Sequence, residues 1–154
     1  MTLQVRPWRE DDDEAVRALV RSVLNEFGFA QAVGGAEVDL GSIAQRYAAP
    51  GGGFWVADDD GVLVGTVGIR PKEGRTCELK RLYVRADQRG TGLGQRLYDH
   101  AERFAREAGY ETIWLDSSRR FGRAHRLYAR NGFSLVAALD NDWEDNIYEK
   151  RIAP

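Results

Sequence analysis

The chain has 154 residues, 43% of them hydrophobic and 30% charged, with a formal net charge of −2. These values suit one domain, residues 1–154, with a full hydrophobic core, and they leave no net field to draw the protein onto nucleic acid or an anionic membrane. One cysteine excludes an internal disulfide and a cysteine-based metal cluster, and two histidines are too few for a zinc site, so no metal is expected. No apolar run nears the roughly 20 residues of a bilayer span. The opening Met1-Thr2-Leu3-Gln4-Val5-Arg6 lacks the basic-then-apolar order of a secretion signal, so the expected location is cytoplasmic.

Taken in chain order, residues 3–7 read as a short strand. Asp11-Asp12-Asp13-Glu14 then puts negative charge where a helix dipole favours it, and Val16, Leu19, Val20, Val23 and Phe27 follow at helical spacing. The acid run itself is read as a solvated helix start. Residues 28–41 suggest a loop, with a short second helix over 40–48, and Pro50-Gly51-Gly52-Gly53 is a break. Residues 54–57 and 62–69 read as strands joined by the hairpin signal Asp58-Asp59-Asp60-Gly61. A turn over 71–75 leads into a third strand over 76–84, which implies an antiparallel meander. Leu93, Leu97, Ala101, Phe104 and Ala108 then form one helical stripe, and Gly109 is placed to stop that helix. A buried strand over 112–115 follows, then a helix over 121–130 closed by Asn131-Gly132. Two last strands are expected over 133–136 and 146–152.

The segment Gln88-Arg89-Gly90-Thr91-Gly92-Leu93-Gly94 carries the most chemistry. Glycines at alternate positions permit a tight turn and a close backbone approach to a ligand, and the helix start behind them offers unpaired N–H groups to an anion. It is not the phosphate loop of nucleotide triphosphatases, because Gln95 and Arg96 stand where Lys and Ser or Thr are needed. The dinucleotide fingerprint also fails, since it spaces its glycines at one, three and six.

Two blocks then resemble one family. Glu78-Leu79-Lys80-Arg81-Leu82-Tyr83-Val84 followed by Arg89-Gly90-Thr91-Gly92-Leu93-Gly94 is similar to the acetyl-coenzyme A motif of the GNAT superfamily of N-acetyltransferases. Ala124-His125-Arg126-Leu127-Tyr128-Ala129-Arg130-Asn131-Gly132-Phe133 resembles the family's second block, in the family's order and spacing. The resemblance implies an α/β fold with a mostly antiparallel mixed sheet, splayed at its centre, and helices on both faces. It implies acetyl-coenzyme A as co-substrate, with the amides of Arg89, Gly90, Thr91, Gly92, Leu93 and Gly94 around the pyrophosphate and Arg89 adding charge. The backbone of Leu82, Tyr83 and Val84 would bond the pantetheine amides in the gap left as this strand splays from the next.

Amine acetylation needs a deprotonated amine, a donor for the developing oxyanion, and a proton for the leaving thiolate. The resemblance makes Glu78 the first candidate for the base and Tyr128 the general acid. Asp116 is an alternative base or amine ligand. Cys77 neighbours Glu78, so strand alternation turns it to the opposite face, as a small core residue. The basic run Arg119-Arg120-Phe121-Gly122-Arg123-Ala124-His125-Arg126 reads as a solvated helix face, or as a contact for the cofactor's 3′-phosphate. Phe121 departs from the family, which commonly has Asn there. The acidic Asp142-Trp143-Glu144-Asp145-Asn146 reads as an exposed loop, or as a lining for a cationic amine.

The expected reaction is acetyl transfer to a primary amine of a small molecule or peptide by direct attack. The rivals are a coenzyme A-binding regulatory module and a modifier of protein N-termini or lysines. The partner is thus an amine acceptor; nucleic acid and membrane are not expected, and symmetry favours a homodimer.

Overall fold

A computed structural model describes residues 3–29, 43–48 and 50–154. Seven strands form one sheet in the order β1-β2-β3-β4-β5-β7-β6. The elements are β1 (Leu3–Pro7), α1 (Asp13–Glu26), α2 (Ile43–Arg46), β2 (Gly53–Asp59), β3 (Val62–Pro71) and β4 (Thr76–Val84), then α3 (Leu93–Glu107), β5 (Thr112–Ser118), α4 (Gly122–Arg130), β6 (Ser134–Ala138) and β7 (Asp145–Arg151). Each of these pairings is antiparallel except β4 with β5. This is the mixed α/β architecture implied by the resemblance. The expected loop over 28–41 falls largely on residues 30–42, outside the described residues, and α2 lies within the expected second helix.

Turn chemistry sets the meander. Asp60 and Gly61 both have positive φ (56° and 94°), the left-handed pair a two-residue hairpin needs, and Gly61 N–H donates to Asp58 Oδ1 at 2.7 Å.

Helices cover both faces. On one, Val16, Val20 and Leu24 of α1 pack with Ile43, Tyr47, Phe54 and Val56. On the other, Leu93, Leu97, Tyr98, Ala101 and Ala105 of α3 and Leu127 and Tyr128 of α4 pack against Cys77, Leu79, Ile113, Leu115 and Tyr148. The buried stripe of α3 includes Tyr98 and Ala105 and leaves Ala108 exposed, a shift from the expected stripe.

The acid run is not simply solvated. Asp12 is buried, accepts from Arg6 through both Nη atoms (2.8 and 2.9 Å) and caps the Arg9 N–H at 2.8 Å. Arg6 Nε also donates to Asp58 at 3.0 Å, so one guanidinium ties β1 to β2 and to the entry of α1. That hydrogen-bonded pairing holds the Asp12 carboxyl below the usual range against the opposing effect of burial.

Two features of β4 position the site. Its pairing with β5 runs only from Thr76 to Glu78, against Thr112 to Trp114. Opposite β3, the register slips between Thr66 and Gly68, so Arg81 and Leu82 together face Val67, a β-bulge. Arg81 sits at φ 57°, a conformation that costs a non-glycine residue about 1–2 kcal/mol. The buried Thr66 hydroxyl donates to the Arg81 carbonyl at 2.7 Å and pins the bulge. Beyond it, β4 bends away from β5.

Candidate active site

The gap between the parted strands is a cavity of about 900 Å³. One wall is the β4 segment from Leu79 to Val84; the other is Asp116, Ser117 and Ser118 of β5 with Tyr128 of α4. Asp116, expected just after its strand, lies within β5, which runs on to Ser118.

The glycine turn closes one end. Gly90 and Gly92 have φ of 79° and 88°, and Gly92 is the N-cap of α3, with no side chain capping the first turn. The N–H groups of that turn are therefore left for a ligand. A Cβ on Gly92 would meet no protein atom within 4 Å, so the space before it is open. Gly94 differs from them. It sits inside the helix, where a Cβ would lie at ordinary contact distance, 3.5 Å, from Leu127 Cδ1 of α4.

Arg89 lines the cavity but is engaged elsewhere. Both Nη atoms bond the Glu26 carboxylate, Nε donates to the Val84 carbonyl at 3.2 Å, and the guanidinium lies over the Phe27 ring. It ties the glycine turn to the end of α1 in place of standing free for a phosphate. Lys80, Arg81 and Arg130 also line the cavity, as do Arg123 and Arg126 in the first turns of α4, and these last two form no ion pair among the described residues. The basic run therefore divides. Arg119 bonds the Leu139 and Asp145 carbonyls, Arg120 bonds Glu144, and the other two arginines turn to the cavity. Phe121 caps α4 and packs its ring on Phe27, Phe29 and Tyr83, so an apolar wall stands where the family pattern has an amide.

Tyr128 is 4% exposed, and it reaches the cavity from α4. Burial, then the neighbouring Tyr83, pushes its hydroxyl well above the usual tyrosine range, while a hydrogen bond with Ser117 opposes. It therefore carries its proton at any ordinary pH, as a proton donor must. Behind it, His125 bridges the Ser118 carbonyl through Nε2 and the Tyr148 hydroxyl through Nδ1, each at 2.7 Å. The carbonyl can only accept, so Nε2 carries the hydrogen and Nδ1 accepts from Tyr148.

Glu78 is buried and does not line the cavity. Its Oε1 accepts from Arg70 Nε at 3.0 Å, and its Oε2 lies 3.7 Å from Lys80 Nζ. The carboxylates that do line the cavity are Asp116 and Asp145. Burial, then the Asn141 hydrogen bond in the opposite sense, then the charge of Asp116, leave the Asp145 carboxyl above its ordinary range. The sequence offers Asp145 within an acidic stretch read as an exposed loop or as a lining for a cationic amine; the pairing of β5 with β7, where Asp145 faces Ser118, is what brings it beside the cavity. Cys77 is fully buried in the core on the other face, and burial pushes its thiol up to about 12.

Among the described residues, no group of three or more His, Cys, Asp or Glu could hold a metal ion, and no helix is long and apolar enough to cross a membrane.

A splayed mixed sheet, a glycine turn at a helix start and a buried tyrosine opposite it define a class, and comparison with known proteins agrees. The chain belongs to the acetyltransferase (GNAT) family, whose model matches residues 15–133. It is 34% identical over 143 residues to an uncharacterized N-acetyltransferase of Schizosaccharomyces pombe, covering 92% of this chain and 88% of the relative. Its fold matches that of a GNAT acetyltransferase from Staphylococcus aureus Mu50 with a TM-score of 0.91, 22% identity and coverage of 99% and 100% of the two chains. The PaiA N-acetyltransferase of Thermoplasma acidophilum, solved in complex with coenzyme A, matches with a TM-score of 0.77, 20% identity and coverage of 98% and 99%. The protein is an acetyltransferase by family and by fold.

Proposed function

We propose that this protein transfers the acetyl group of acetyl-coenzyme A to a primary amine of a small molecule or peptide by direct attack. One observation carries the reading: a single cavity joins the glycine turn, the part of β4 beyond its pairing with β5, Tyr128 and two carboxylates. The amides of residues 90–94 would hold a pyrophosphate, with that of Arg89 bonded to the Ala86 carbonyl and with Arg123 and Arg126 near the turn for phosphate charge. The backbone of Leu82, Tyr83 and Val84 lies past the end of the pairing with β5, along the cavity wall that the pantetheine amides would meet.

At the far end, Asp116 and Asp145 take the acceptor's ammonium, and Asp145, whose carboxyl burial raises, accepts its proton. The amine nitrogen then attacks the thioester carbonyl, the C–N bond forms as the C–S bond breaks, and Tyr128 protonates the departing thiolate. No covalent enzyme intermediate is needed, and Cys77 lies outside the cavity. We assign the base role to Asp145 over Glu78, because Glu78 is held behind the wall by Arg70 and Lys80. A cytoplasmic location belongs to the same reading.

The test is thiol release from acetyl-coenzyme A with a broad amine panel, with the acetylated product identified by mass. Turnover with at least one amine is expected. Calorimetric binding of coenzyme A with no turnover across the panel would make the protein a coenzyme A-binding module. Glu78→Gln and Asp145→Asn, compared in kcat/KM at low pH, separate the two base assignments; a loss confined to Glu78→Gln restores Glu78.

A further inference from the structure

The face of the sheet under the acceptor end carries charges of both signs in register. Strand pairing sets Thr76 opposite Thr112 and Glu78 opposite Trp114, so the next outward positions on the same face are Lys80 and Asp116, on either side of the gap. On the β7 side, Asp116 pairs with Ile147, and Asp145 lies two residues away on that same face. Lys80, Arg81, Asp116 and Asp145 all line the cavity. Lys80 and Asp116 are close enough to Asp145 for both charges to bear on its titration.

Lys80 is only loosely committed on its own strand. Glu78 is neutralised first by Arg70 at 3.0 Å, and the Lys80 contact at 3.7 Å is longer than a hydrogen bond. The Lys80 ammonium thus offers positive charge to the cavity directly across from the aspartates. A polyamine or other polycation would suit a uniformly acidic wall, and a lysine facing it would repel the substrate. An amine that carries its own carboxylate satisfies both walls at once.

We propose that the acceptor is a free amino acid, its carboxylate held by Lys80 and its amine by Asp116 and Asp145. This rests on the acetyl-transfer reading and names that reaction's substrate class. Steady-state kinetics test it with three sets of acceptors: free amino acids, the matching amino acid carboxamides, and a linear polyamine. The best amino acid should exceed its carboxamide in kcat/KM by tenfold or more, mostly through KM. Lys80→Met should bring the acid-to-amide ratio close to one, and Lys80→Arg should keep it well above one. Circular dichroism and calorimetric coenzyme A affinity confirm that both variants are folded.

Equal or better turnover of the carboxamides or the polyamine by the wild type overturns the amino-acid assignment and leaves acetyl transfer standing. So does a ratio that Lys80→Met leaves intact. No turnover with any acceptor, with coenzyme A still bound, overturns the acetyl-transfer reading and this one with it.

Discussion

The two ends of the cavity are built from different materials. The end at the glycine turn is made of backbone: φ values of 79° and 88° at Gly90 and Gly92, and the first turn of α3. The opposite end is made of side chains from three strands, Lys80 on β4, Asp116 on β5 and Asp145 on β7. Backbone recognition needs a fixed chain path and is encoded over a few adjacent residues. Side-chain recognition can change residue by residue on an unchanged frame, so a fold can keep its donor and exchange its acceptor.

That contrast can be broken at several points. Tyr128→Phe acts where the two ends meet, and should lower kcat by about 10²–10⁴-fold, the usual worth of a general acid, with coenzyme A affinity held within about twofold. A smaller loss of kcat would move the proton donor elsewhere. Gly92→Val puts a β-branched side chain into the ligand's approach at a φ that costs it about 1–3 kcal/mol. Coenzyme A affinity by calorimetry should fall on the order of 100-fold, equivalent to about 2.7 kcal/mol. Asp116→Asn and Asp145→Asn should do the reverse, raising the acceptor KM about tenfold and leaving coenzyme A affinity intact. If either variant weakens coenzyme A binding instead, the two ends are not separable.

Thr66→Val removes the hydroxyl that pins the Arg81 carbonyl and should cost about 1–3 kcal/mol in denaturant unfolding. Because the bulge shapes both ends, donor and acceptor KM values should rise together. The smallest effect is on pH. Burial, ahead of nearby arginine charge, lowers the affinity of His125 and His100 for a proton. The unfolded chain then binds more protons than the folded one between the lowered values and about 6.5, so stability rises with pH across that window. Tm should fall as pH drops from about 7.5 to about 5.5. His125→Gln should flatten that slope, and a slope equal to wild type would clear His125 of the effect.

The same contrast explains what could be read from the sequence. The strands, α1, α3 and α4 follow from periodicity and turn residues, and β1 and β4 were read to the residue. The glycine turn is contiguous and announces itself. The Asp12–Arg6–Asp58 tie, the engagement of Arg89 by Glu26 and the meeting of Lys80 and Asp116 in one cavity are not contiguous. Each joins residues whose proximity depends on the paired sheet or on the packing of α1, and a linear pattern holds no trace of it. Glu78 illustrates the difference: its position in the motif points to a base, and nothing contiguous shows that Arg70 and Lys80 lie against its carboxylate.

The single cysteine has a practical consequence. Cys77 is fully buried, and its thiol is held protonated up to about 12. Thiolate is the species that reacts with disulfide and maleimide reagents. An assay that colours free thiol would therefore report released coenzyme A against a silent enzyme background, even at high protein concentration. The onset of enzyme-derived signal on warming would in turn mark the opening of the core between β4 and α3, so one reagent would follow both turnover and unfolding.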